Sequence, residues 1–126
     1  MEDWLLEGDF SFYAGYNLGR QLLTAADRPT AIFCHSDEMA IGVFNIAREL
    51  NIRVPDDLSV IGFDNIAFSE YCEPALTTVH QPRELIGQRA MKTLLDRLQG
   101  KKTLLNQSLP TQFIVRNSAA RAQENQ

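Results

Sequence analysis

The segment Val54-Pro55-Asp56-Asp57-Leu58-Ser59-Val60-Ile61-Gly62-Phe63-Asp64-Asn65 runs from a turn, through a mostly apolar stretch, to a polar pair. Pro55-Asp56-Asp57 has the composition of a turn, in which Pro presets φ and Asp bonds its own backbone. Leu58 to Phe63 is a continuous apolar run with no polar alternation, the pattern of a parallel strand covered on both faces. Asp64 and Asn65 then fall at that strand's C-terminal end. Thr30-Ala31-Ile32-Phe33-Cys34 is a second buried-strand candidate. Between the two strands, Ser36 and Asp37 suit the start of a helix and Glu38 its first turn. Met39, Val43, Ile46, Ala47 and Leu50 form the helix's apolar stripe, and Asn51 suits the left-handed position that ends it.

The same alternation extends outward. Upstream, residues 3–7 are short and apolar and read as a strand broken by Gly8-Asp9-Phe10. Ser11 is an N-cap for a helix to Ala25 carrying Tyr13, Tyr16, Leu18, Leu22 and Leu23, ended by Arg28-Pro29. Downstream, residues 66–72 suit one or two helical turns and Leu76-Thr77-Thr78-Val79 a strand. Pro82 fits the first turn of a helix, where its missing N–H costs nothing. Leu85, Ile86, Ala90, Met91, Leu94, Leu95 and Leu98 mark one face of that helix up to Gly100, and Thr111-Gln112-Phe113-Ile114-Val115 is the last strand. Alternating strands and helices imply an α/β fold, with a mainly parallel sheet flanked by helices.

Composition bounds the function. The chain has 126 residues, 44% hydrophobic and 22% charged, which is the profile of a globular domain. A chain of this size buries roughly two-thirds of the surface it exposes when unfolded. Twelve Lys and Arg against 16 Asp and Glu give a net charge of -4, which argues against nucleic-acid binding by these residues alone. No apolar run approaches the ~20 residues of a membrane span. The acidic start Met1-Glu2-Asp3-Trp4 lacks the basic region of a signal peptide. Cys34 and Cys72 form no CxxC pair and read as free thiols in a reducing compartment. These features together point to the cytoplasm. Residues 121–126 are polar and read as a frayed tail.

In open α/β sheets, ligands bind beyond the carboxyl ends of the strands. His35, Ser36 and Asp37 follow one strand there, and Asp64 and Asn65 follow the other. A carboxylate at that edge accepts hydrogen bonds from a ligand's amide, amine or hydroxyl groups, and Phe33 and Phe63 offer flat apolar surface for a ring. Plainer readings stand beside these: Asp37 as a helix cap, Asp64 as half of a turn with Asn65, Phe33 as core, His35 as an idle loop residue, and His80 as part of a linker. Catalytic patterns are absent: there is no GxSxG elbow, Gly-rich phosphate loop or HExxH. Cys34 and His35 are neighbours on a strand, so their side chains point opposite ways and form no dyad. No metal or cofactor is expected, and the chain does not read as an enzyme. A phosphoacceptor receiver domain has this size, but it needs an acidic pair after its first strand, where only Asp9 is present, and a Lys after a late strand, where there is none.

Three ordered motifs resemble those of the LacI-type repressors and the periplasmic sugar-binding proteins related to them. They are Phe33-Cys34-His35-Ser36-Asp37-Glu38-Met39-Ala40-Ile41-Gly42, then Val54 to Asn65, then Pro74-Ala75-Leu76-Thr77-Thr78-Val79 with Gln81-Pro82 and Gly87. The resemblance covers about residues 4–120. Pro55-Asp56-Asp57-Leu58-Ser59 and Leu76-Thr77-Thr78-Val79 favour the repressor branch. Gly8-Asp9-Phe10, Phe33-Cys34 and His80-Gln81-Pro82 are most similar to the purine and cytidine repressors, and His35-Ser36-Asp37 to the cytidine repressor.

The resemblance implies a C-terminal, incomplete part of a type I periplasmic-binding-protein-like effector domain. Residues 1–80 would belong to the second lobe, 82–100 to a crossover helix packing on an absent first lobe, and 108–120 to a returning strand. It implies a nucleoside or sugar effector bound by Asp64 across the cleft, with Phe33 stacking on a base, Asp37 holding sugar hydroxyls, Ser36 a polar contact and His35 nearby. It further implies a homodimer through residues 38–50 and the loop around Tyr71 and Cys72, with Met39 and Phe44 at the interface. Operator DNA would be reached only through an absent N-terminal helix-turn-helix. The alternative within the resemblance is a fragment of a sugar-binding protein serving transport.

On this reading the apolar stripe at 83–99 lacks its partner. Leaving its Leu, Ile and Met side chains in water costs roughly 1.5–3 kcal/mol each relative to burial. The stripe is therefore expected to be covered by another chain, through swapping or new dimer packing. Sedimentation analysis checks this: an associated species is expected, and a strictly monomeric one with the helix ordered and exposed contradicts it.

Overall fold

Helix α1 (Phe12–Leu23) opens the regular structure and helix α2 (Asp37–Glu49) lies against it, with strand β1 (Ala31–Phe33) between them in sequence. Strand β2 (Ser59–Ile61), a 3-10 turn (Ala67–Glu70), strand β3 (Thr78–His80), helix α3 (Arg83–Leu98) and strand β4 (Gln112–Ile114) follow. The computed structural model describes residues 4–104 and 106–121.

The helix ends follow local chemistry. Ser11 caps α1, its hydroxyl accepting the Ala14 N–H at 3.1 Å. The helix stops at Leu23 rather than Ala25, with Thr24 as its C-cap. Ser36 caps α2 in the same way through the Met39 N–H. Asp37 and Glu38 in its first turn and Arg48 in its last complement the helix dipole. Asn51 takes φ 57° just past the end, as expected of an Asn at that position.

β1 and β2 pair in parallel, with Ile32 opposite Val60. Parallel bridges Ile61–Thr77 and Asp64–His80 carry the order on toward β3. β3 and β4 pair antiparallel, with Val79 opposite Phe113. The fold is thus α/β with parallel pairing at its centre. The core is Leu23, Cys34, Ala40, Val43, Ile46, Ala47, Leu58, Val60 and Leu76. Burial pushes the Cys34 thiol up to about 12, so it stays protonated and serves as a small apolar filler.

Residues 3–7 do not form the expected strand. Trp4 lies in a 3-10 turn, residues 5–9 have no regular structure, and residue 3 lies outside the described residues. Leu5 is 83% exposed, and no ladder is available to satisfy the backbone there. The stripe on α3 is open, as expected of a helix that lacks its partner: no residue of α3 is buried, and Leu85, Ile86, Met91, Leu94, Leu95 and Leu98 are all exposed. A helix face buries only against an opposing surface, and of these residues only Ile86 borders one, a shallow groove shared with Leu109 and Thr111.

Helices α1 and α2 meet at glycines. A Cβ on Gly42 would lie 2.3 Å from the Phe12 carbonyl oxygen and 2.6 Å from the Tyr16 nitrogen, and one on Gly15 would strike the Met39 backbone. Backbone cannot yield as a side-chain tip does, so Gly42→Ala is expected to lower stability by about 1–3 kcal/mol, read as the shift in a urea midpoint. A pH effect follows from the turn before β2. Asp57 accepts three hydrogen bonds from Arg53, which hold its carboxyl down at about 2. A carboxyl lowered in the folded state adds stability above its unfolded value, and that stability is lost as pH falls through the folded value. Thermal melts of the protein are therefore expected to drop between pH 3.8 and about 2, and Asp57→Asn to flatten that drop.

Candidate functional site

The carboxyl ends of β1 and β2 open onto one edge. Phe33, at the end of β1, is 52% exposed. Its ring meets His35 edge-on at 5.3 Å and Phe63 at 6.4 Å, nearly perpendicular. Phe33 is thus braced by two rings while the side chain remains open to solvent. His35 is exposed beside it. Residues with these contacts form a platform suited to a flat ring.

Asp64 follows β2 in an unusual backbone state, φ 108°, with Asn65 next at φ 53°. Its N–H donates to the Val79 carbonyl at 2.9 Å. Gln81 Nε2 donates to Asp64 Oδ1 at 2.6 Å, and Oδ2 has no hydrogen-bond partner among the described residues. The half-buried carboxylate therefore keeps acceptor capacity at the edge that Phe33 borders. Non-glycine residues at positive φ cluster where function depends on the backbone.

Ser36 and Asp37 do not join this group. Ser36 is buried, and its hydroxyl is used twice, accepting from the Met39 N–H and donating to the Phe10 carbonyl at 3.0 Å. Asp37 is completely buried. Its Oδ1 accepts the Thr78 hydroxyl at 2.6 Å and its Oδ2 the Ile66 N–H at 2.8 Å. Burial raises its carboxyl above the ordinary value, while the Thr78 and Ile66 bonds and, more weakly, Arg116 oppose that rise. Gly62 makes room for it, since a Cβ there would lie 2.2 Å from Asp37 Oδ1. Both residues sit below the edge as structure. The sequence placed them beside the strand end correctly, but burial is a tertiary property that local order does not reveal.

Two polar residues at this edge were not singled out from sequence. Gln81 orients Asp64, and the strand-end rule that selected Asp64 applies equally to a residue just past β3. Arg116 donates to Asn65 Oδ1 at 2.8 Å, the Leu76 carbonyl at 2.8 Å and Ser69 Oγ at 3.2 Å. No local pattern marks it, since its partners lie 40 to 51 residues away. His80 Nδ1 lies 3.2 Å from Asn65 Nδ2.

A separate groove of about 670 Å³ runs between α2 and the loop after the 3-10 turn. Phe44, Phe68, Tyr71 and Cys72 line it, along with Arg48 and Arg53. It therefore gathers three of the four candidate interface residues. Met39 is not among them: half-buried, it packs toward α1 against Gly8 and Gly15. Among the described residues no group of three or more His, Cys, Asp or Glu is placed to hold a metal ion. Nor is any helix among the described residues long and apolar enough to cross a membrane.

A parallel α/β unit with an aromatic and acidic strand edge, followed by α3 and the antiparallel strand β4, has the architecture of the periplasmic-binding class. The chain matches the family described as periplasmic binding protein-like domain over residues 2–119, and it belongs to that family. It is 50% identical over 101 residues to the HTH-type transcriptional repressor PurR of Photorhabdus laumondii, a match covering 80% of this chain and 30% of the repressor. PurR of Yersinia pestis gives the same figures. The chain thus spans about a third of the length of these curated relatives. Among solved structures, a LacI family transcriptional regulator from Enterococcus faecium with bound ribose superposes with TM-score 0.83 at 40% identity, covering 92% of this chain and 43% of that one. A dimeric Lac repressor superposes with TM-score 0.85 at 35% identity, covering 90% and 42%. The relatives are transcription regulators, which leaves the receiver-domain reading without support. The similarity to PurR is not specific to the cytidine repressor.

Proposed function

We propose that this chain is the effector-binding and dimerising part of a LacI-type transcriptional repressor, and that its effector is a nucleoside of the cytidine type. The observation that carries the reading is the pairing, on one sheet edge, of an open Phe33 ring with an Asp64 carboxylate that has one oxygen unused. A nucleoside presents a flat base and ribose hydroxyls, which these two groups suit respectively. In the intact regulator, effector binding would favour one of two lobe arrangements through its differential affinity for them. The groove lined by Phe44, Tyr71 and Cys72 would face a second copy. Operator DNA would be reached through a helix-turn-helix outside these 126 residues, in keeping with the net charge of -4. A sugar effector is the second reading, favoured by the ribose bound to the Enterococcus faecium relative.

Heteronuclear NMR titration with cytidine, adenosine, hypoxanthine and ribose tests this. Cytidine is expected to shift the Phe33, His35 and Asp64 amides, with a Kd on the order of 1 mM for a site formed by one lobe. Asp64→Asn is expected to weaken binding about tenfold or more, because a charge-assisted hydrogen bond contributes roughly 1.5–3 kcal/mol. Binding of ribose alone would favour the sugar reading. No shift with any of the four, or binding indifferent to Asp64→Asn, would contradict the effector site.

A further inference from the structure

We infer that Asp37 is the positioning residue for Asp64, clamping both ends of the bend that presents it. The inference rests on the reading of Asp64 as the effector carboxylate. Ahead of the bend, the Asp37 N–H donates to the Phe63 carbonyl at 2.9 Å. Behind it, the Ile66 N–H donates to Asp37 Oδ2 at 2.8 Å. One residue therefore holds the chain on either side of Asp64 and Asn65, the two that adopt φ 108° and 53°. Such angles are sparsely populated by residues with side chains and persist only where the surroundings impose them.

Helix capping does not account for Asp37. Ser36 already performs that task through the Met39 N–H, and a capping carboxylate gains nothing from complete burial. Burying a carboxylate is costly unless its oxygens are bonded. Here each oxygen is bonded, one to β3 through Thr78 and one to the bend through Ile66. Gly62 is the space this requires. Arg116 completes the arrangement from outside by holding Asn65 Oδ1.

The three-bond HN–Hα couplings of Asp64 and Asn65, read together with the strong intraresidue HN–Hα cross-peaks that a positive φ gives, report the two angles, and Asp37→Ala and Asp37→Asn separate clamping from bulk stability. Asparagine can accept the Ile66 N–H with its amide oxygen and turn its NH2 toward the Thr78 hydroxyl, so it is expected to retain both couplings. Alanine is expected to lose them while the Ile46, Leu58 and Val60 amides keep their native shifts. Native couplings in Asp37→Ala, or equal loss in both variants, would overturn the inference. Should Asp37→Ala not fold, hydrogen exchange in the unmodified protein decides. The Ile66 amide is expected to be protected on the order of 100-fold or more, and exchange at the unprotected rate would overturn the clamp. Cytidine and ribose titrations of the same samples separate the two claims. Lost couplings in Asp37→Ala with no ligand response in any sample support the clamp and remove the effector reading alone.

Discussion

The first turn of α2 is the constraint on which the ligand edge depends. Three segments distant in sequence meet there. Ser36 ties the helix start to Phe10, ahead of α1. Asp37 ties it to Phe63 and Ile66 in the loop after β2, and to Thr78 in β3. Ser36, Asp37 and Thr78 are themselves buried, where a polar group left unpaired would cost about 1–3 kcal/mol. The described buried side chains are all satisfied. Misplacing this turn would therefore break several bonds at once, which makes the position of the edge an all-or-none property of the fold.

Packing supplies the rest of the lobe's rigidity. Glycines at the crossing allow α1 and α2 to approach until backbone meets backbone, and the buried face of α2 (Ala40, Val43, Ile46, Ala47) closes over Leu58 and Val60. At the rim, Arg20 stacks on Tyr16 and pairs with Glu49, joining the same two helices in a more exposed position; a pair that open contributes little to stability. The contrast with α3 is sharp. Its apolar face has no covering surface, and its strand partners β3 and β4 form only a two-stranded antiparallel pair. A two-stranded unit of that kind is marginal without packing on one face. The chain therefore consists of a well-packed lobe and an arm whose apolar face is uncovered.

Much of this was legible in the sequence, and the exceptions have physical causes. Ser11, Ser36 and Asn51 were readable because caps are local: a side chain bonds a backbone group two or three residues away, or a left-handed angle suits one residue type. The strands at 30–34 and 58–63 were located by their apolar runs, but neither is covered on both faces: Ala31 and Phe33 are exposed and Ser59 and Ile61 only half-buried, because a local run shows where a strand lies while distant residues decide what covers each face. Trp4-Leu5-Leu6 was misread because a short apolar run carries no period, and whether it finds a partner strand depends on distant residues. Asp64 and Phe33 emerged from the strand-end rule combined with family resemblance. Asp37 illustrates the limit: its position pointed to the edge, while its depth is set by Thr78, 41 residues away. Arg116 was hidden for the same reason, whereas Gln81 was within reach of the strand-end rule. Met39 lies on α2 with Phe44 but on the face that α1 covers.

The ligand of the proposed site is expected at the edge shared by Phe33 and Asp64, not in the groove beside Tyr71. A crystal structure of the protein grown with cytidine tests this most directly. Base density stacked on the Phe33 ring is expected, with a ligand hydroxyl within hydrogen-bonding distance of Asp64 Oδ2. Density in the groove between Phe44 and Tyr71, with the Phe33 edge empty, would contradict it.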